Sequence, residues 1–237
     1  DVDYTVSYTN NQHTGTGNAI ITGKGIFSGT VTVPFGIGVA INETTFPDET
    51  FRTYVKENID TTPDGILTVS ELEQVTMIDV AFKEIADLTG VEYFTALQEL
   101  YCGGNNLTEL DVRQNTELQK LYCYNNQLKE LDVRQNPALQ ILGCNDNQLK
   151  ELDVHQNSAL QILECSGNQL TELDVRQNPA LQELHCYNNN LTELNVCQNT
   201  ELQTLWCSNN NLTVLDVRQN TALQVLYCYN NNLTELD

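Results

Sequence analysis

Eight cysteines and three histidines are the residues of this sequence with the most specific chemistry, because thiolates and imidazoles bind metals and act in catalysis. Seven of the cysteines lie 21 residues apart, and they are Cys102, Cys123, Cys144, Cys165, Cys186, Cys207 and Cys228. One thiol per repeated unit forms a straight line, which cannot converge on one tetrahedral metal ion. Parallel Cβ directions and an odd number also oppose complete pairing in disulfides. We therefore predict seven buried free thiols that act as small apolar side chains.

The three histidines, His13, His155 and His185, lie in different segments, so the sequence brings no nucleophile and base together. His185 adjoins Cys186, but neighbouring residues of a strand face opposite ways. The ring is then outside while the thiol is in the core, which opposes a Cys-His pair. We expect no catalytic residues and no enzyme activity.

The loop 60–71 has the oxygen ligands of a calcium site at the spacing of an EF-hand. The candidate metal ligands are Asp60, Thr62, Asp64 and Glu71, assisted by the carbonyl of Ile66 and a glycine at the sixth loop position. Against calcium, Thr68 and Glu71 also have the spacing of a capping box for a following helix. Two interpretations stay open, a calcium site and a purely structural helix-loop-helix cap. No other cofactor is indicated.

A period of 21 residues runs from Leu97 to the end of the sequence and predicts a solenoid. Each copy reads L-x-x-L-x-C-x-x-N-x-L and continues with L-D-V-x-Q-N, as in the copy that begins at Leu118. The first half resembles the leucine-rich-repeat signature, which implies a right-handed α/β solenoid with a parallel sheet on its concave face. We assign the strand to the cysteine half, because its outward positions vary whereas the other half repeats almost verbatim. Each motif Asn, such as Asn126, should satisfy backbone groups of its own and the adjacent coil.

The outward positions beside the inward cysteines carry large aromatic side chains. The candidate ligand-binding residues are Tyr101, Tyr122, Tyr124, His185, Tyr187, Trp206, Tyr227 and Tyr229. Large rings left in water on a curved sheet are typical of a recognition surface, since Tyr and Trp supply much contact area at low entropic cost. The alternative is that aromatic residues are present because they suit strands and cover neighbouring backbone.

Two segments precede the solenoid, which we place at residues 75–237. Residues 1–40 alternate apolar and polar side chains between glycines such as Gly25, which predicts about three strands. Residues 41–74 change to a helical period, with Phe51, Val55 and Ile59 four residues apart. A first helix with Pro47 in its first turn and a second from Val69 to about Val75 are predicted, and together they form an N-terminal cap.

Composition excludes several classes of function. The sequence has 11 Lys and Arg against 32 Asp and Glu, and this net charge of -21 repels phosphate backbones and anionic lipids, so we expect no nucleic-acid binding. No apolar run approaches the roughly 20 residues of a membrane span, so we expect no membrane insertion. The sequence starts at Asp1 without Met and stops within a repeat, and we expect it to be a fragment of a longer, processed protein.

Several strings resemble parts of bacterial surface proteins. Y-T-V-S-Y-T-N-N resembles the closing strands of immunoglobulin-like modules, which makes residues 1–40 a partial immunoglobulin-like segment. F-P-D-E-T-F-R-T-Y-V, D-G-I-L-T-V-S-E-L and L-T-G-V-E-Y-F resemble the cap and first repeat of internalin-like proteins, and the cysteine repeats resemble the cysteine-ladder branch of that family. The resemblance implies a secreted or cell-wall-attached bacterial protein that binds something outside the cell. It carries over no ligand residues, because internalin ligand sites are not part of the repeat motif.

Two functions are compatible with these features. The first is a non-catalytic extracellular recognition or adhesion module that binds a protein or a glycan through its concave aromatic face. The second is a structural spacer within a long bacterial surface protein, in which no face of the solenoid has a specific partner. Variation at the concave positions favours binding, whereas the near-identical convex copies fit either function.

Overall fold

The computed structural model describes residues 3–9, 15–24 and 28–236. Its first strands, β1 (Tyr4–Thr9), β2 (Gly15–Gly23) and β3 (Thr30–Ile37), form an antiparallel sheet in chain order. This sheet is compatible with an immunoglobulin-like segment. The predicted turn at Gly25 and the histidine at position 13 lie outside the described residues.

A small cap follows the three-stranded sheet. Strand β4 (Val39–Ala40) pairs antiparallel with β5 (Ile66–Leu67), and two helices flank β5, α1 (Glu49–Asn58) and α2 (Val69–Gln74). Helix α1 begins after Pro47 rather than at it, because the Asp48 carboxylate accepts a hydrogen bond from Phe51 N at 3.0 Å and so acts as the N-cap. The other oxygen of Asp48 accepts from Ala86 N at 3.0 Å, which ties the cap to the first coil. Neither helix is long and apolar enough to cross a bilayer.

The solenoid strands form one parallel sheet of eight strands. They are β6 (Met77–Asp79), β7 (Glu99–Tyr101), β8 (Lys120–Tyr122), β9 (Ile141–Gly143), β10 (Ile162–Glu164), β11 (Glu183–His185), β12 (Thr204–Trp206) and β14 (Val225–Tyr227). The register is constant, with each central Leu or Ile beside its equivalent in the next coil. The assignment of the strand to the cysteine half is therefore confirmed. On the opposite side, β13 (Val214–Leu215) pairs with β15 (Glu235–Leu236), and a 3-10 helix covers Val91–Tyr93.

In the coils with a cysteine, each strand of the parallel sheet ends one residue before that cysteine. Cys102 N still donates to Tyr122 O at 2.8 Å, but the carbonyl of Cys102 accepts from the side chains of Asn105 and Asn126. Because an amide side chain replaces the next backbone donor, the regular strand pairing is interrupted there, and it resumes where Gly104 N donates to Tyr124 O at 2.9 Å. The predicted role of the motif Asn is confirmed.

Asn126 shows how these side chains link the coils. Its Nδ2 donates to Cys102 O and Cys123 O, both at 3.0 Å, and its Oδ1 accepts from Leu107 N at 3.0 Å. One buried amide thus joins two consecutive coils with three hydrogen bonds, and burial makes each of these bonds costly to lose.

A second ladder of buried asparagines lies in the other half of the repeat, where the sequence alone indicated no role. Its members are Asn115, Asn136, Asn157, Asn178, Asn199 and Asn220. In Asn136, Nδ2 donates to Val112 O at 2.9 Å and to Asn115 O at 2.8 Å, so this ladder also joins adjacent coils. Nearby, exposed Asp-Arg pairs such as Asp132 and Arg134 form two parallel hydrogen bonds, and the guanidinium lowers the pKa of Asp132 to about 2.

The core is a continuous prism of leucine, valine and cysteine. Leu118, Leu121 and Leu128 of one coil are fully buried, as is Cys123. Burial of each leucine contributes about 1.5–3 kcal/mol, and stacked coils bury faces that a single coil could not cover.

All eight cysteines are free, and six of the seven ladder thiols are fully buried. Burial raises the pKa of Cys102 to about 12, which makes its thiol chemically inert at neutral pH. The prediction that all seven are buried is wrong at Cys228, which is half-buried because its coil is the last of the described solenoid. Cys197, outside the ladder, is also half-buried.

We predict that Cys197 and Cys228 account for the thiols that react with a disulfide reagent in the native protein. All eight cysteines should react in denaturant, because unfolding exposes the six buried thiols and restores an ordinary pKa of about 8.5. Thiol titration with and without guanidinium chloride measures both numbers. A disulfide in a non-reduced digest of freshly purified protein would contradict this prediction.

Candidate functional site

The concave face is formed by the strand residues that flank each inward Leu. In β8, Leu121 is fully buried, whereas Lys120 and Tyr122 on either side of it point outward. The last outward strand position carries Tyr101, Tyr122, His185, Trp206 and Tyr227 of the predicted set. Tyr124, Tyr187 and Tyr229 lie two residues further along the chain, so all eight belong to the same side of the solenoid.

The first group of rings, which we call the N-terminal aromatic patch, contains Phe82, Tyr101, Tyr122 and Tyr124. Tyr101 and Tyr122 stack nearly parallel, with ring centroids 5.2 Å apart and planes at 10°. Phe82 packs against Tyr124 at 6.1 Å and 58°. The repeat pattern missed Phe82, because it precedes the first cysteine copy. The sequence could have indicated Phe82, because it lies 22 residues before Gly104, the equivalent position of the next coil, and this outward position varies from coil to coil.

The second group, which we call the C-terminal aromatic patch, contains His185, Tyr187, Trp206, Tyr227 and Tyr229. Trp206 is its centre. The His185 ring stacks on Trp206 at 4.1 Å and 14°, Tyr227 lies 5.6 Å from it, and Tyr187 lies 6.2 Å from it. The predicted outward position of the His185 ring, away from the fully buried Cys186, is confirmed.

The two patches are not continuous. Gly143, Asn145, Glu164 and Ser166 occupy the outward positions of the two coils between them. Tyr122 on β8 and His185 on β11 are separated by three strand spacings, or about 14 Å. The expectation of large rings left in water is also wrong for most of the set, because the rings cover one another from coil to coil. Tyr227 and Tyr229 are the exceptions, with exposures of 50% and 62%, because they lie in the last coil of the described solenoid.

Polar contacts position one of the tyrosines, Tyr101, and the histidine His185. Tyr101 Oη donates to Glu99 Oε2 at 2.7 Å, and Lys120 Nζ donates to Glu99 Oε1 at 3.0 Å. The hydrogen bond to Glu99, followed by burial, raises the pKa of Tyr101 to about 12. In the C-terminal aromatic patch, His185 Nδ1 lies 3.5 Å from Glu164 Oε1 and Nε2 lies 4.0 Å from Glu183 Oε2. Trp206 Nε1 is enclosed and has no hydrogen-bond partner among the described residues.

The candidate calcium loop is held by its own carboxylates. Glu71 Oε1 accepts from Thr61 N and Oγ1, at 2.8 and 2.6 Å, and Oε2 accepts from Thr68 N and Oγ1, both at 2.8 Å. The Thr68 contacts complete a capping box at the start of α2. Burial alone would raise the pKa of Glu71, but these hydrogen bonds outweigh it and lower the pKa to about 2.

The remaining donors of this loop only partly fit a calcium ion. Asp60 Oδ2 accepts from Gly65 N and Asp64 Oδ1 from Ile66 N, each at 2.9 Å, while Asp60 Oδ1 is buried without a hydrogen-bond partner in the described chain. Thr62 stays exposed. Glu71 cannot act as a bidentate ligand while both oxygens are occupied by Thr61 and Thr68. Within the described ranges, no three His, Cys, Asp or Glu side chains are grouped as metal ligands.

Comparison with known proteins agrees with the cysteine ladder and the parallel sheet. The family described as Leucine Rich repeats (2 copies) matches residues 95–135, 116–157 and 200–237. The functional domain of InlJ from Listeria monocytogenes, which includes a cysteine ladder, superimposes with a TM-score of 0.71 at 37% identity, over 85% of this chain and 50% of that domain. The chain is an internalin-like leucine-rich-repeat protein with a cysteine ladder.

Other relatives extend this likeness. Internalin J of L. monocytogenes serotype 4b (strain F2365) is 42% identical over 71 residues, which are 30% of this chain and 8% of that protein. Internalin C2 of the same strain has a TM-score of 0.74 at 19% identity, over 83% of this chain and 90% of internalin C2, and shares the fold. A leucine-rich-repeat protein of Leptospira interrogans has a TM-score of 0.54 at 27% identity, over 71% of this chain and 53% of that protein. The internalin-like chain thus spans half of the InlJ domain and a small part of the curated relative.

For the loop of this internalin-like chain, we predict equal melting temperatures in excess calcium and in chelator at matched ionic strength. The physical reason is that Glu71 would have to break four hydrogen bonds before it could bind the ion. Differential scanning calorimetry in both buffers provides the measurement. A higher melting temperature in calcium but not in magnesium would instead establish Asp60, Thr62, Asp64 and Glu71 as a calcium site.

We also predict that Glu71→Gln lowers the free energy of unfolding at neutral pH by about 2 kcal/mol, because charged hydrogen bonds to Thr61 and Thr68 are lost. The folded-state pKa of Glu71 is about 2, below the unfolded value of about 4.3, so its contribution is complete above the higher value. The difference between wild type and variant should therefore shrink as the pH falls from about 4.3 to 2.

Urea unfolding at a series of pH values measures this difference. Glu73→Gln, an exposed position on the same helix, is the matched control and should change stability little. A wild-type advantage that is constant down to the lowest pH would contradict an ionised, hydrogen-bonded Glu71.

Proposed function

We propose that this protein is a non-catalytic recognition module, secreted or attached to the cell surface, and that its concave face binds an extracellular protein. The internalin-like fold supports the general class, since leucine-rich repeats commonly bind proteins. The observation that carries the proposal is the grouping of large rings, His185 with Trp206 and Phe82 with Tyr124, at outward positions of a sheet whose inner face already has its Leu and Cys core. Folding does not require such groups of rings at these positions.

Ring stacking favours a protein over a glycan as the partner. A sugar packs best on an open aromatic face, but the His185 ring covers one face of Trp206 at 4.1 Å, and Tyr101 and Tyr122 cover each other. What these stacked rings offer outward is mainly their edges. Ring edges, together with the exposed Tyr227 and Tyr229, suit the mixed apolar and polar contacts of a protein interface.

The spacer function has support from the same stacks. Rings that cover their neighbours across coils also stabilise the solenoid, since each aromatic pair contributes about 0.5–1.5 kcal/mol. Trp206 is therefore a poor probe of binding, because its substitution would remove contacts with His185, Tyr187 and Tyr227. The exposed tyrosines separate the two functions better.

We predict that Tyr227→Ser and Tyr229→Ser together lower the free energy of unfolding by no more than about 0.5–1.5 kcal/mol, the contribution of the lost Trp206–Tyr227 contact, and weaken partner binding by more than about tenfold. Peptides are first selected on the immobilised wild-type chain from a phage-displayed library of random peptides, and a glycan array is screened in parallel. Affinities of the selected ligands for wild type and variant are then compared by biolayer interferometry.

Tyr4→Ser is the matched control, because Tyr4 is a tyrosine of similar exposure, 52%, that lies outside the solenoid. It should not change binding. If the ligands bind the double variant as tightly as wild type, the binding site lies outside the C-terminal aromatic patch. If neither screen yields a ligand, the spacer is the better account.

A further inference from the structure

Phe82 has a backbone conformation that is unusual for its residue type. Its φ is 55°, in the left-handed region, where the side chain of a bulky L residue is crowded by its own backbone. The equivalent position is left-handed in every following coil, and the residues there are Gly104, Asn125, Asp146, Gly167, Asn188, Asn209 and Asn230. Glycine, asparagine and aspartate are the residues that tolerate this region. The first coil alone among these eight combines the strained conformation with an aromatic ring.

Burial does not explain this choice, because the side chain of Phe82 is 68% exposed. An exposed Asn or Gly would suit the backbone better and lose little apolar contact. Backbone strain at a largely exposed side chain is a signal of function, since the surrounding structure must hold it in place. The backbone does hold it, as Phe82 N donates to Gly103 O at 2.9 Å.

The ring of Phe82 also has a prepared position. The ring lies over Gly104, where any Cβ atom would collide with it. Its centroid lies 6.1 Å from that of the Tyr124 ring, and the two planes are tilted by 58°. Tyr124 lies in the same way over Gly103. Two consecutive glycines thus let two rings lie against the backbone, on the same side of the solenoid as the stacked rings of Tyr101 and Tyr122.

Carboxylates surround this surface. Asp79 pairs with Tyr101 in the adjacent strand, and Glu99 accepts a hydrogen bond from the Tyr101 hydroxyl. The side chains of Glu164 and Tyr122 both lie next to Gly143. The cation in contact with this group is Lys120, and it is bound to Glu99. Exposed rings beside carboxylates form a favourable site for a guanidinium or ammonium group, which the ring faces and the negative charges both attract.

We propose, building on the proposed binding of a protein at the concave face, that Phe82 anchors the N-terminal aromatic patch and that this patch docks a basic segment of the partner. One Arg or Lys side chain of that segment lies against the exposed ring of Phe82 beside Asp79, and a second reaches Glu164, which lies four strand spacings, or about 19 Å, from Asp79. The net charge of -21 supports a basic partner, because a negative protein attracts a positive segment before contact.

Phe82→Asn in the full chain tests the proposal, with the peptides selected on the wild-type chain as the probe. The selected peptides should be enriched in Arg and Lys, should bind more weakly at high salt, and should lose at least about tenfold in affinity for the variant. The melting temperature of Phe82→Asn should equal or exceed that of wild type, because the strain is relieved. Asp79→Asn should weaken the same peptides without a change in melting temperature.

Three results would overturn the proposal. They are peptides without basic residues, peptides that bind Phe82→Asn as tightly as wild type, and a melting temperature of Phe82→Asn that falls by several degrees. The last would assign Phe82 to the fold. Tyr4→Ser again controls for the loss of an exposed ring. If the Tyr227 and Tyr229 variants lose binding and Phe82→Asn does not, only this inference fails; if no variant loses binding, the proposed function fails as well.

Discussion

The hydrogen bonds of buried asparagines between adjacent coils are the constraint on which the rest of the structure depends. Asn126 donates to the carbonyls of Cys102 and Cys123 and accepts from Leu107, so a shift of one residue would leave buried groups of two coils unpaired. This cost opposes any slip in register between adjacent coils and fixes where each strand ends. The carbonyl of each ladder cysteine, such as Cys102, accepts from the side-chain amides of two coils, while its thiol is buried in the core.

A constant register divides the surface into positions with different freedom. Inward Leu and Cys positions and both Asn ladders are determined by packing and hydrogen bonding, whereas the outward strand positions need only avoid collision with neighbours. Large aromatic residues are therefore not spread evenly over the outward positions. Two aromatic patches are separated by coils with Gly143 and Glu164, and carboxylates lie at the edges of both patches. The patches therefore offer apolar contact within a negative surface, which suits a basic partner more than an acidic one.

The cap uses charge in a different way. Asp48 is at once the N-cap of α1 and an acceptor for Ala86 N in the first coil, and Glu71 accepts hydrogen bonds from both sides of its loop. These carboxylates hold a helix and loop across the end of the prism, where Phe46, Phe51 and Phe94 close the core. In this loop with EF-hand spacing, backbone and hydroxyl donors occupy both oxygen atoms of Glu71, the residue at the last ligand position of such a loop.

The sequence by itself determined the period, the inward residues, the strand half and the linking role of Asn126, since each follows from a local pattern repeated in every coil. The position of all eight predicted aromatic residues on one face also followed from the alternation of a strand. The tertiary structure decided what depends on neighbours across coils: which rings stack, how far they are exposed, and that they form two patches rather than one stripe. It also decided the left-handed Phe82 over Gly104 and the four hydrogen bonds of Glu71. A pattern gives the direction of a side chain, but its contacts depend on the size of residues 21 or 22 positions away.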